Sequence, residues 1–221
     1  MGRPRLPTEA IVEAALCIVD EDGVEALSMR ALAQRLNAST ATLYRHFPSR
    51  AALVLAVMDR LLGEIDFDSA ELTSGSWQDA VRTFATEYFD ALNRHPGAAR
   101  MLADHAPVGP HAMALREIWL QTMLHNGFRM ELAVRAGALV ASYVQGFAIQ
   151  LAGRRAAAGT DDEVMGAAVG PTDVSEYPAL AEAIRSGAAP VPLEDEFSFG
   201  LELILDGLDA ARVRPSPGRR R

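Results

Sequence analysis

The sequence predicts an all-α protein, and three observations support this prediction. Residues capable of capping helices, together with Pro and Gly, divide the chain into short segments. No segment alternates apolar and polar residues with a convincing period of two, the pattern that would indicate a strand. Apolar residues instead recur at helical spacing, first at Ile11, Ala14, Ala15, Ile18 and Val19. With 221 residues and 49% hydrophobic content, the chain can bury a substantial core.

Four helices are predicted in the N-terminal part of the chain. Thr8 is a candidate N-cap for the first helix, and Gly23 is its natural end. Ser28 is the candidate cap of the second helix, "SMRALAQRL". After the break "NAS", a short third helix continues to about His46 and ends before the next proline. Ser49 is expected to cap a longer, leucine-rich fourth helix.

The remaining two thirds of the chain also follow a helical pattern. Ser76 and Asp79 form an S-x-x-D capping arrangement at the start of "SWQDAVRTFATEYFDALNR", which ends at a Pro-Gly pair. The stretch 153–178 is rich in Gly and Ala without a sustained apolar period, and we expect a loop there. Further helices are predicted at about 110–126, 130–152, 178–186 and 195–212.

Composition limits the function classes. Cys17 is the single cysteine, so the chain has no intrachain disulfide, and a reducing cytosol suits it. The N-terminus has no apolar segment of the signal-peptide kind, so we expect a cytoplasmic protein. The uncharged run 136–153 just reaches the length of a membrane span. Its tyrosine and two glutamines favour a buried helix of a soluble bundle, without a membrane partner.

Charge is sharply segregated along the chain. Residues 26–58 contain no Asp or Glu and four arginines, at positions 30, 35, 45 and 50. This window therefore carries +4 in a chain of net charge −8, which leaves −12 on the remainder. Such a local basic window indicates an anionic partner, whereas a basic solvated face that aids solubility is the alternative.

The basic window has a helix, break, helix arrangement that is typical of a helix-turn-helix. Slim residues at the start of its second helix, Ser39, Thr40, Ala41 and Thr42, would let this end approach base edges. Tyr44, Arg45, His46 and Arg50 follow and are candidates for phosphate contacts. Arg45 is also a candidate for reading guanine, because its guanidinium matches the O6 and N7 acceptors.

Residues 11–54, "IVEAALCIVDEDGVEALSMRALAQRLNASTATLYRHFPSRAALV", resemble the DNA-binding signature of the tetracycline-repressor (TetR) family of dimeric bacterial transcription regulators. The aromatic-bearing "TLYRHF" followed by a capped helix is particularly characteristic. The resemblance implies DNA contacts by Ser28, Arg30, Thr40, Ala41, Thr42, Tyr44, Arg45 and His46. Arg50 stands where the family usually has lysine, and the resemblance implies that it clamps a phosphate.

The resemblance extends into the regulatory part. "SWQDAVRTFATEYFDALNRHPGA" looks like the start of the tetracycline repressor's regulatory core, and "PALAEAIRSG" and "FSFGLELILDGLDA" look like its closing helices. Those repressors hold a magnesium–drug chelate through a histidine and an acidic residue, whose positions we place at Leu102 and Gln150. Leucine offers no lone pair to magnesium. We therefore expect no metal, no cofactor and no tetracycline.

Aromatic and sulfur-bearing residues of the regulatory part are candidates for a ligand cavity between helices. For each of them, ordinary core packing is the alternative. A metal pair of His105 and His111 is a further alternative, but its spacing is not a recognised one. The candidate ligand-binding set is Phe84, Tyr88, Leu102, His105, Trp119, Met123, Tyr143 and Phe147.

The last predicted helix carries a broad apolar stripe with two glycines seven residues apart. In the family this helix pairs with the long central helix to form a four-helix dimer interface, whereas an intramolecular core helix is the alternative. The candidate dimerisation residues are Phe197, Gly200, Leu201, Ile204, Leu205 and Leu208.

These observations divide the chain into a helix-turn-helix DNA-binding domain at 1–50, a ligand-binding and dimerisation domain at 51–211, and a basic tail at 212–221.

We predict a homodimeric repressor that binds a palindromic operator in double-stranded DNA, with half-sites about 34–36 Å apart or a multiple of that. A small hydrophobic effector of unknown identity would release it. An architectural DNA binder without a ligand is the main alternative. No phosphate loop, G-x-S-x-G elbow, H-E-x-x-H or Cys-x-x-Cys element supports an enzyme.

Overall fold

A computed structural model of the chain describes residues 6–65, 75–157, 176–188 and 191–213, and every regular element in these ranges is helical. The predicted all-α class is therefore confirmed. Most of the expected loop at 153–178 and of the basic tail lies outside the described residues. The described α-helices are α1 (Thr8–Asp22), α2 (Met29–Arg35), α3 (Thr40–His46), α4 (Arg50–Leu62), α5 (Trp77–Arg94), α6 (Ala99–Asp104), α7 (Pro110–His125), α8 (Met130–Ala157), α9 (Pro178–Arg185) and α10 (Leu193–Val213).

Serine side chains begin four of these helices, and the sequence predicts three of these caps, at Ser28, Ser49 and Ser76. Each serine Oγ accepts a hydrogen bond from the backbone N–H three residues later, at 3.1–3.2 Å, before α2, α3, α4 and α5. These bonds satisfy amides that the first turn of a helix leaves without a partner. The predicted cap at Thr8 is wrong, because Pro7 is the N-cap and Thr8 is the first helical residue. Proline has no side-chain acceptor, and no side-chain bond caps α1.

The N-terminal region is a small bundle of α1, α2, α3 and α4. Leu27, Leu32, Leu43 and Leu53 are completely buried where these helices meet. The turn between α2 and α3 passes through Asn37, whose φ of 47° lies in the left-handed region that asparagine tolerates better than most residues. This turn sets the crossing of the two helices and thereby the orientation of α3.

The regulatory region is built around α8, which packs against α5, α6, α7 and α10. Residues 130–155 are long and apolar enough to cross a membrane by length and composition alone. In the structure, Ala133, Ala136, Val140, Val144 and Ala148 of this helix are buried in the protein core. These positions follow helical spacing, so one face of α8 serves the core of its own chain.

Candidate functional site

The start of α3 presents its side chains to solvent. Thr40, Ala41, Tyr44 and Arg45 are exposed, and Tyr44 exposes 52% of its surface although it is aromatic. Leu43, which is fully buried, fastens this helix to the small bundle. An exposed polar face on a rigidly held helix is the geometry that a groove-reading element needs.

Two arginines of the basic window are available to an anion. Across the described residues, neither Arg30 nor Arg45 has a carboxylate partner, and both are exposed. Arg35 differs, since its guanidinium makes two 2.6 Å hydrogen bonds to the carboxylate of Glu21. Among the described residues, the basic window therefore has two arginines without a carboxylate, on α2 and α3, and a third that is paired with Glu21.

Other predicted DNA contacts also have roles inside the domain. Ser28 is half-buried and caps α2. Thr42 donates its N–H to Ser39 Oγ, and the two hydroxyls lie 2.9 Å apart. His46 Nδ1 lies 3.1 Å from the hydroxyl oxygen of Thr8. These bonds hold the ends of α2 and α3 in place, and DNA contact by these residues stays a prediction.

Arg50 joins α4 to the turn that precedes α2. Its Nε donates to the carbonyl of Leu27 and its Nη2 to the carbonyl of Val24, both at 2.6 Å. This role in fixing the bundle is one that the sequence did not indicate. The Nη1 group is not used by either bond, and the phosphate clamp stays a prediction.

A cavity of about 350 Å³ lies in the regulatory region, between α4, α5, α7 and α8. Its size falls within the range of small-molecule sites in proteins. Most of its lining is apolar and includes the ring of Phe84, whose centroid lies 5.2 Å from that of Trp119. Three lining residues contribute a phenol, a guanidinium and an amide, namely Tyr88, Arg116 and Gln145.

The structure divides the predicted ligand-binding set. Phe84, Tyr88 and Trp119 line the cavity, and Met123 lies beside a void of about 10 Å³ that also touches two of these rings. The others lie elsewhere. Leu102 is buried in the core, His105 is exposed, and Tyr143 and Phe147 pack against Phe197 at centroid distances of 5.4 and 5.5 Å. These four residues do not line this cavity, because helix packing directs them to other surfaces, and a contact of any of them with an effector stays a prediction.

Sequence reasoning missed Arg116 and Gln145. Gln145 Nε2 donates a 2.7 Å hydrogen bond to the phenolic oxygen of Tyr88. Burial raises the pKa of Tyr88 to about 12, although this bond and the charge of Arg116 act to lower it. The phenol is therefore neutral at physiological pH. A glutamine within an otherwise uncharged helical run was the one signal available for Gln145.

The cavity does not fit a metal chelate. None of its lining residues is a histidine, cysteine, aspartate or glutamate. Magnesium prefers oxygen ligands, mostly carboxylates and water held by them. His111, the other member of the considered metal pair, instead places its Nδ1 3.0 Å from the carboxylate of Asp59.

Asp59 of α4 binds the N-terminus of α7, the helix that forms one wall of the cavity. It is the one buried acid in the described part of the chain, and its Oδ1 accepts a 2.9 Å hydrogen bond from the N–H of Ala112. The carboxylate therefore stabilises the positive N-terminal end of α7. Gly109, at φ 152°, lies so close that a Cβ there would overlap the carboxylate.

A second polar contact joins the two regions. His95, at the end of α5, has Nδ1 2.7 Å from Asp20 of α1 and Nε2 3.0 Å from Glu64 after α4. Burial raises the pKa of Asp20 more than His95 lowers it. Burial also acts to raise the pKa of Glu64, but His95 and nearby arginines outweigh it and leave this pKa below its usual value. Gly97 lies against the carbonyl of Val19, and a Cβ there would overlap that oxygen.

The predicted dimerisation residues serve mainly the subunit's own core. Phe197, Leu201, Leu205 and Leu208 are buried within the chain, and Gly200 and Ile204 are half-buried, with Gly200 against the hydroxyl of Tyr143. The assignment of the four buried residues to a surface for a partner is thus corrected, and the alternative of an intramolecular stripe holds for them. The opposite face of α10 exposes Phe199 by 68% and Leu203 by 56%.

Two family models together match most of the chain. The model "Bacterial regulatory proteins, tetR family" matches residues 11–57, and "Tetracyclin repressor-like, C-terminal domain" matches residues 70–212. The first match contains α2 and α3, and the second contains most of the cavity lining.

Relatives and solved structures agree with these matches. The transcriptional repressor DrrR1 of Streptomyces coeruleorubidus is 32% identical over 94% of this chain and 78% of its own. The class A tetracycline repressor from transposon 1721 of Escherichia coli is 28% identical, over 95% of this chain and 93% of its own. Apo ActR of Streptomyces coelicolor superposes with a TM-score of 0.81 at 29% identity, covering 96% of this chain and 98% of its own. The chain belongs to the TetR family of bacterial transcriptional regulators.

Proposed function

We propose that the chain is a homodimeric repressor that binds a palindromic operator through α3 and leaves it when a small hydrophobic effector enters the cavity. The position of α4 carries this proposal. α4 packs on α1 of the DNA-binding region, and its Asp59 holds the N-terminus of α7. Because α7 forms a wall of the cavity, a ligand that shifts α7 acts directly on α4.

The ligand acts by shifting a population. In one form of the dimer, the spacing of the two α3 helices does not match the spacing of the operator half-sites. The ligand must bind this form better than the DNA-bound form, typically by ~1–3 kcal/mol of coupling free energy. Known relatives support a small-molecule effector. Structures of ActR have been solved in complex with actinorhodin and with (S)-DNPA. The name of DrrR1 as a repressor favours repression, and such a regulator acts beside the bacterial DNA, in the cytoplasm.

The exposed face of α10 supports the dimer. Phe199, Leu203, Gly207 and Ala210 lie on one exposed stripe at helical spacing. Large apolar side chains exposed next to small residues favour close packing against a second copy. Leu203→Arg should therefore give a monomer in light scattering coupled to size-exclusion chromatography. Glu194→Arg, an exposed change off this stripe at the start of α10, is the control that should stay dimeric.

The function as a whole is tested by selecting binding sites from random DNA duplexes with the purified full chain. We expect an enriched sequence with dyad symmetry, bound by one dimer. The mechanism of repression predicts that such a site lies over a promoter and that the protein lowers transcription from it in vitro. Weak enrichment without symmetry would favour the architectural DNA binder instead.

A further inference from the structure

The cavity is amphipathic along its depth. Arg116 is exposed, whereas Tyr88 is only 3% exposed, so these two groups mark the mouth and the floor. The rings of Phe84 and Trp119 form apolar walls between them. Gly137 allows this shape, because a Cβ there would lie 2.8 Å from the indole nitrogen of Trp119.

None of the acids whose side chains the structure describes pairs with Arg116. Across the described residues, its one hydrogen bond is a 2.8 Å contact from Nη2 to the carbonyl of Pro107, and no acid lines the cavity. Arg82 of the same region, in contrast, makes two hydrogen bonds to the carboxylate of Glu202. A guanidinium beside apolar walls and without an acid attracts a ligand anion, with which it forms strong charge-assisted hydrogen bonds.

The floor offers one donor and one acceptor. When Gln145 Nε2 donates to the phenolic oxygen of Tyr88, the phenolic proton and the amide oxygen Oε1 have no further partner among the described residues. The reverse orientation of the amide leaves Nε2 as the donor and the phenolic oxygen as the acceptor. In both cases the pair can bind a ligand oxygen that accepts a hydrogen bond.

We propose that the effector is a flat aromatic anion, whose carboxylate or equivalent acid group pairs with Arg116 at the mouth while a carbonyl or hydroxyl oxygen at its far end bonds to Tyr88 and Gln145. This inference rests on the proposed function, because it treats the cavity as the effector site. The proposed effector thus carries a negative charge at one end and a hydrogen-bonding oxygen at the other, in addition to its small apolar body.

The experiment compares two probes of nearly identical shape, anthraquinone-2-carboxylate and the neutral anthraquinone-2-carboxamide. Titration calorimetry with the full wild-type chain should show that the carboxylate binds at least about tenfold more tightly, as charge-assisted hydrogen bonds require. Equal affinity of the two probes would overturn the proposal.

Substitutions test which residues cause the tighter binding of the carboxylate probe. Arg116→Met keeps most of the side chain's length and should reduce the preference to less than about twofold, whereas Arg116→Lys should retain part of it. Arg100→Met, which removes an exposed arginine outside the cavity, is the matched control and should leave both affinities unchanged. Tyr88→Phe should weaken binding of the carboxylate probe about fivefold, since a quinone oxygen loses a donor. A preference that survives Arg116→Met would contradict the assignment.

The same probes separate this inference from the proposed function. If neither probe binds while the protein still binds a selected operator, the ligand chemistry is wrong and the regulator remains. If the carboxylate binds with the expected preference but the protein selects no DNA site, the site is right and the proposed function fails.

Discussion

The DNA-binding and regulatory regions place their functional residues in different ways. The candidates for DNA contact lie within 23 consecutive residues, from Ser28 to Arg50, and most remain on the surface. The cavity instead takes its lining from positions between Leu62 and Gln145, on helices that meet only after folding. A surface that binds DNA can therefore be recognised as a local pattern in the sequence, whereas a cavity forms only when helices pack against one another.

The two regions also differ in how their arginines are used. Arg30 and Arg45 of the DNA-binding region face solvent without a carboxylate among the described residues. In the regulatory region, Arg82 and Arg212 each pair with an acid of the same chain. Exposed pairs contribute little stability. An arginine without a carboxylate partner is thus more informative about function than a paired one, and among the described residues Arg116 is such an arginine in the regulatory region.

The largest expected effect is at the joint between the regions. Asp59→Ala should lower the free energy of unfolding by about 2–3 kcal/mol, because the amide of Ala112 and the N-terminus of α7 lose a buried charged acceptor. Chemical denaturation measures this change. Asp90→Ala, an exposed acid of α5, is the control that should change stability by less than about 0.5 kcal/mol. A similarly small change for Asp59→Ala would show that the two regions are joined by other contacts.

The next effect tests the DNA-binding face alone. Arg45→Ala and Tyr44→Ala should each weaken operator binding by about 1–2 kcal/mol, roughly five- to thirtyfold, while dimerisation and melting stay unchanged. Fluorescence anisotropy with the selected operator measures the affinity. Arg154→Ala, on the exposed end of α8, removes an equal charge and should leave the affinity nearly unaltered. Unchanged binding by both α3 variants would remove this helix from the interface.

A smaller effect is expected where His95 joins α1 to α4 and α5. His95→Gln should lower the free energy of unfolding at pH 7 by about 1 kcal/mol, since Asp20 and Glu64 both lose a hydrogen-bonding partner that favours their charged forms. Thermal melts of the two proteins across pH 3–8 test this expectation.

The pH dependence follows from the two carboxyl groups. The pKa of Glu64 lies below its ordinary 4.5, so its stabilising contribution is present above that pH and is lost as the pH falls through the lowered pKa. The pKa of Asp20 is raised above 3.8, so its contribution has the opposite sign and is lost as the pH rises through the raised pKa. The deficit of His95→Gln should therefore shrink below about pH 4.5, where the carboxylates that it leaves without a partner become protonated. A deficit that does not change with pH would indicate lost packing instead.

The last prediction is an absence of response. Magnesium and tetracycline together should not release the protein from its operator, because Leu102 is an apolar core residue and none of the described residues that line the cavity carries a carboxylate or an imidazole. An anisotropy titration with drug and magnesium tests this, with a tetracycline repressor on its own operator as the positive control. Release at micromolar drug would mean that side chains able to bind magnesium reach the cavity in a conformation other than this one.

Local sequence patterns predicted most of the fold. Three serine caps, at Ser28, Ser49 and Ser76, and the limits of the later helices follow from side chains that bond to their own backbone or from breaks at Pro and Gly, so neighbours in sequence decide them. The apolar stripe of α10 was also recognised. Its partner was not, because periodicity shows that a face is apolar without showing whether the same chain or a second copy covers it.

The sequence by itself therefore determined the all-α class, the family and the short helix α3 that carries Arg45, because these depend on short-range spacing. Only the tertiary structure decided that Gln145 meets Tyr88, that Arg116 opens onto the same cavity and that Asp59 binds the end of α7. Each of these contacts joins residues about 50 or more positions apart, or depends on which face of a helix turns inward. Such contacts arise from the packing of helices against one another, which no local pattern encodes.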